Sequence, residues 1–107
     1  GQSANAAGGQ SFAGGYAASA GGLTSVAIGN SAIANEEDAV AIGDIASAGF
    51  HSTAVGGEAA ANGTGATAFG WQSSAGGNQS TAVGRQANAS GLIDACNAAF
   101  TPDPEDD

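Results

Sequence analysis

Ser25-Val26-Ala27-Ile28-Gly29 decides how this chain folds, because the pentapeptide keeps returning. Ala39-Val40-Ala41-Ile42-Gly43, Ser52-Thr53-Ala54-Val55-Gly56, Ala66-Thr67-Ala68-Phe69-Gly70 and Ser80-Thr81-Ala82-Val83-Gly84 are the same motif, and their terminal glycines are 14, 13, 14 and 14 residues apart. Fourteen residues before Gly29 stands Gly15, which ends the weaker copy Ser11-Phe12-Ala13-Gly14-Gly15, and fourteen before that stands Gly1. Small residues follow at +3 and +5, as in Ala32/Ala34, Ala46/Ala48, Ala59/Ala61 and Ala87/Ala89. A repeat this strict specifies an architecture before any single residue is considered.

Within the motif and within Ala-x-Ala the residues alternate, so each period holds two short extended pieces. Two strands and two turns in fourteen residues make one coil of a slender parallel β-solenoid. Seven such coils are expected over residues 1–93, followed by a degenerate last coil and an acidic, proline-containing tail over 94–107. The turn glycines Gly15, Gly29, Gly43, Gly56, Gly70 and Gly84 close the first piece. Gly8, Gly22, Gly63, Gly77 and Gly91 recur seven residues on, and both sets are expected to supply turns that need positive φ. The 13-residue period should lose its residue in the turn around Phe50-His51.

Composition agrees with a coil that has almost no interior. Alanine and glycine number 27 and 19 of 107 residues, whereas Leu, Ile, Val and Phe together number only 15. That is too few large side chains for an ordinary globular core. The central alanines of the motif are the right size to fill a narrow roll. Alternation then turns Val26, Ile28, Val40, Ile42, Val55, Phe69 and Val83 outward, as an apolar stripe that is expected to be buried against copies of itself. The opposite assignment, with large residues inside, stays open at this level.

The net charge of −9, with Arg85 the only Lys or Arg, argues against nucleic-acid and anionic-membrane binding. No apolar run is long enough for a membrane span.

Ser25-Val26-Ala27-Ile28-Gly29-Asn30-Ser31-Ala32-Ile33-Ala34 resembles the head domains of trimeric autotransporter adhesins, the YadA-like head repeats, over residues 1 to about 93. The resemblance implies a left-handed parallel β-roll assembled as a homotrimer. It implies a non-catalytic adhesion module on the surface of a Gram-negative bacterium, carried from the outer membrane. Host extracellular-matrix proteins such as collagen or fibronectin, or another surface receptor, would be its ligands. In that family a neck and a coiled-coil stalk follow the head. Here Asp94-Ala95-Cys96-Asn97 continues the frame weakly, Thr101-Pro102-Asp103-Pro104 stops it, and no heptads are seen. Two other classes stand beside adhesion: a passive segment of a surface or phage fibre, and an ice-binding repeat built on the ladder Thr53, Thr67, Thr81.

No catalytic, cofactor or metal constellation is expected. His51 has no evident ligand partners in the sequence and reads as an exposed turn histidine. Glu36-Glu37-Asp38 reads as a solvated acidic turn. Cys96 takes an alanine position of the frame, as a small buried side chain or an interchain disulfide. The position after the first-turn glycine varies most, reading Gln2, Tyr16, Asn30, Asp44, Gly57, Trp71, Arg85. Constant frame with changing chemistry suits a binding surface, so Tyr16, Asn30, Asp44, Trp71 and Arg85 are the candidate ligand contacts, with Trp71 and Arg85 expected to stack. A tolerant exposed turn is the competing reading.

Overall fold

The structure, a computed structural model, describes residues 2–91 and the backbone of Ala95–Asn97. Each motif is a three-residue strand. β1 (Phe12–Gly14), β2 (Val26–Ile28), β3 (Val40–Ile42), β5 (Thr53–Val55), β7 (Thr67–Phe69), β9 (Thr81–Val83) and β11 (Ala95–Asn97) lie in that order in one parallel seven-stranded sheet. The Ala-x-Ala pieces build the opposite face. β4 (Ser47–Ala48), β6 (Ala60–Ala61), β8 (Ser74–Ala75) and β10 (Asn88–Ala89) form a four-stranded parallel sheet, which the bridges Asn5–Ser19, Ser19–Ile33 and Ile33–Ser47 continue toward the first coil.

The register stacks the motif on itself. Phe12, Val26, Val40, Thr53, Thr67 and Thr81 form one column, and Ala13, Ala27, Ala41, Ala54, Ala68 and Ala82 the next. Cys96 pairs with Ala82, which places its backbone in the alanine column. Its side chain, read from the sequence as a small buried group or an interchain disulfide, and the acidic tail lie outside the described residues. The short coil keeps the register, Val40 facing Thr53, because its residue is lost between Ala48 and Gly49, just before the turn Gly49-Phe50-His51 and not within it as expected.

Alanine fills the interior. Ala27, Ala41, Ala54, Ala68 and Ala82 are fully buried, as are Ala32/Ala34 and Ala59/Ala61 from the other sheet. The largest fully buried side chains among the described residues are the serines Ser25, Ser52, Ser73 and Ser80. This settles the open assignment: small residues point in and large ones out. The interior serines are satisfied locally, each hydroxyl donating to the carbonyl three residues earlier, as Ser25 does to Gly22 and Ser80 to Gly77 at 2.7 and 2.6 Å. No described buried side-chain polar atom lacks a partner.

The turns correct one expectation. Gly15, Gly29, Gly43, Gly56, Gly70 and Gly84 do have φ between 112° and 134°. Gly8, Gly22, Gly63 and Gly77 have no positive φ; they are glycine because a Cβ would run into the backbone of the next coil. The left-handed residue of nearly every turn is instead a non-glycine two places on, including Thr24, Ser31, Asp38, Ile45, His51, Glu58, Gln72 and Gln86, with φ from 54° to 60°. That conformation costs roughly 1–2 kcal/mol per residue. It is offset because it aims the residue's N–H at the coil before: Ser31 to Tyr16 O at 2.8 Å, Asp38 to Leu23 O at 2.9 Å, Gln72 to Gly57 O at 2.9 Å. Ile45 bears the cost least well, being β-branched, half exposed and at φ 60°. Ile45→Asn is expected to stabilise the fold by about 1 kcal/mol, seen as a higher thermal midpoint. A lower midpoint would place the Ile45 side chain in a contact between copies.

Candidate binding surface

The rod presents two corners and two faces. At the first corner the backbone climbs by one coil between equivalent positions, roughly 4.8 Å. Tyr16, Asn30, Asp44, Gly57, Trp71 and Arg85 thus form one outward column. Asn30 Nδ2 donates to Asp44 Oδ1 at 2.9 Å, and the Arg85 guanidinium lies 4.9 Å from the Trp71 ring centroid, the stacking expected from their spacing. Trp71 reaches back over Gly57, whose missing side chain leaves room for it: a Cβ there would lie 3.3 Å from Trp71 Cδ1. Tyr16 is the most exposed of the aromatic residues on this corner, at 57%. Four coils separate it from Trp71, roughly 19 Å, so the column offers two separate aromatic anchors and not one patch.

Beside this column runs a second, formed by the left-handed residues. Gln86 Nε2 donates to Gln72 Oε1 at 3.0 Å and Gln72 Nε2 to Glu58 Oε1 at 2.9 Å. This amide ladder holds the side chains next to Trp71 and Arg85 in fixed order. Sequence reading missed it; the signal was the +2 position after each glycine, where Glu58, Gln72 and Gln86 recur.

The broad face of the seven-stranded sheet carries Ile28, Ile42, Val55, Phe69 and Val83 outward in one unbroken apolar column, and Val26 and Val40 in the column beside it. Ile28, Phe69 and Val83 stay about 40% exposed and Phe12 more so. The threonine ladder Thr53, Thr67, Thr81 lies on this same face, but the parallel column beside it is Val55, Phe69 and Val83. Leu23, Phe50, Ile33 and Ile45 are exposed elsewhere and were not singled out by the motif.

At the second corner His51 is an exposed turn residue, as expected, with neighbours that the sequence did not show. Its Nε2 lies 3.3 Å from Asp38 Oδ2 and 3.8 Å from Glu37 Oε2. Asp38 and His51 hold the same turn position in successive coils, so the 13-residue step stacks one on the other. Thr24, one coil earlier, donates its hydroxyl to Asp38 Oδ1, and the Phe50 ring stacks on His51 at 3.9 Å.

Comparison with known proteins agrees with this geometry. The profile of the YadA head domain repeat family matches residues 20–44, 47–73 and 75–92, well over half of the chain. The chain belongs to the YadA head-repeat family. Among solved structures, the crystal structure of the collagen-binding domain of Yersinia adhesin YadA superposes with a TM-score of 0.66 at 29% sequence identity. The similarity covers 92% of this chain and 64% of that one, so the chain spans less than two thirds of the YadA domain. No curated protein sequence matches the chain. The strand alanines and turn glycines are the structural positions, and the residue after the first-turn glycine, on the corner, changes from coil to coil.

Proposed function

We propose that this chain is a non-catalytic adhesion module: the head, or part of the head, of a homotrimeric fibre displayed from the outer membrane of a Gram-negative bacterium. One observation carries the proposal. The protomer's interior is already filled by alanine, so the outward Val, Ile and Phe columns contribute little to folding one chain. An apolar face of that length is a cost in water and a gain in an assembly. Membership of the YadA head-repeat family supports three copies as the assembly.

The ligand surface is then the corner that stays outside, where Trp71 and Arg85 form the stronger anchor and Tyr16 the weaker. Similarity to a collagen-binding domain makes an extracellular-matrix protein, collagen before fibronectin, the ligand to test. Single contacts of this kind are weak, and three per rod with many rods per cell add avidity.

Sedimentation tests the assembly first. Three copies of 9.9 kDa, or 29.7 kDa, are expected for the chain, and Phe69→Asp is expected to shift the mass toward 9.9 kDa. A folded native monomer would refute the trimer. On the trimer, Trp71→Ala is expected to weaken attachment to immobilised collagen by about tenfold, as loss of a hot-spot residue does. Unchanged attachment in both Trp71→Ala and Tyr16→Ala would make the chain a spacer in its fibre.

A further inference from the structure

We infer that the shortened coil builds a binding site for a divalent transition-metal ion, zinc in the first instance, from Glu37, Asp38 and His51. The inference is independent of the adhesion reading and concerns the other corner of the rod.

The donor set is mixed, one imidazole nitrogen and two carboxylate oxygens, and these three atoms lie within 4.8 Å of one another. Zinc binds imidazole and carboxylate at about 2.0–2.2 Å, so two ligands of a tetrahedral ion stand roughly 3.4 Å apart. His51 Nε2 is 3.3 Å from Asp38 Oδ2 and 3.8 Å from Glu37 Oε2, so two of the three donor separations already approach that value. Rotation of exposed side chains supplies the remaining adjustment. Imidazole in the set favours zinc and its neighbours over calcium or magnesium, which take oxygen ligands.

The placement comes from the backbone. His51 N–H donates to Glu37 O at 2.9 Å, which ties its turn to that of Asp38, and Asp38 N–H donates to Leu23 O at 2.9 Å, which anchors the Asp38 turn to the coil before. Both Asp38 and His51 are left-handed, with φ of 57° and 54°, so their side chains leave the rod in parallel. Phe50 stacks on the imidazole and Thr24 holds the far oxygen of Asp38, leaving Oδ2 for the ion. Charge agrees as well. The one Lys or Arg of the chain, Arg85, sits on Trp71 and neutralises neither acid. All three side chains are about half exposed, so water completes the coordination and exchange is fast.

The test is calorimetric titration of zinc chloride into the full chain carrying Cys96→Ser, which removes the only thiol. One zinc per chain is expected. Asp38→Asn and His51→Asn should each weaken binding by about tenfold or more, since each removes one of three protein ligands. Asparagine tolerates the left-handed turn, so both variants should keep the native circular dichroism and melting temperature. Cobalt substitution should give visible d–d absorption that is lost in His51→Asn. Absence of saturable zinc binding, or binding of unchanged affinity in either variant, overturns the inference.

Discussion

Gly63→Ala is expected to destabilise the chain by about 4 kcal/mol, the exceptional range for a single methyl group. Gly63 opens the second turn of its coil, directly over Gly77. A Cβ there would lie 2.5 Å from the Gly77 carbonyl carbon and closer still to its oxygen. Neither neighbour is a side chain that can rotate away. The two coils must part, and parting breaks the bonds between them on either side, Gly63 N–H to Ala75 O and Gln79 N–H to Thr64 O. In a solenoid, where each coil touches only its neighbours, such a lesion should also divide the melt into two transitions. Gly76→Ala is the control: a Cβ at Gly76 meets nothing within 4 Å, and its φ is not positive. That substitution should be neutral or stabilise by about 0.5 kcal/mol through the unfolded chain. Equal midpoints for the two variants would disprove the steric account of the second-turn glycines.

Ala54→Leu should be nearly as damaging, at about 3 kcal/mol or more. Ala54 is fully buried between Ala41 and Ala68 in the strand column, in an interior with no described fully buried side chain larger than serine. Three added carbons have no void to enter, so the two sheets must separate along several coils. The outward neighbour supplies the contrast. Thr53→Leu puts the same side chain on the open face and should leave the stability of a protomer within about 0.5 kcal/mol of native. A tolerated Ala54→Leu would mean that the interior is not close-packed.

Much of this structure was legible because the period is strict. The alternation in Ser25-Val26-Ala27-Ile28-Gly29 assigned strand and faces, and the glycine spacing assigned turns. What was not legible depends on neighbouring coils. Gly22 and Gly29 look alike in the sequence, yet one is needed for its φ and the other for the closeness of Glu36 above it. The left-handed residues escaped notice because Ser31, Ile45 and Glu58 share no side-chain property. Their backbone is dictated by the carbonyl one coil below, and sequence records only side chains. His51 and Asp38 escaped for a similar reason: their separation of 13 becomes a contact only once the lost residue is placed before Gly49. The stacking of Trp71 and Arg85 was legible, since both fall on the frame position after the glycine and one full period apart.

The closed circuit of hydrogen bonds from coil to coil has a consequence for reach. Apart from the 13-residue coil, the described coils bond to their neighbours through the same backbone groups, so none of them is marked as a particular member of the series. Excising residues 57–70 would join Gly56 to Trp71 and recreate a junction of the native kind. The rod would shorten by one step of about 4.8 Å with its other surfaces unaltered. Copy number is thus a dial separate from chemistry: duplication or loss of one gene segment of constant size changes the distance between the two ends of the rod in even increments, without a new fold having to be found.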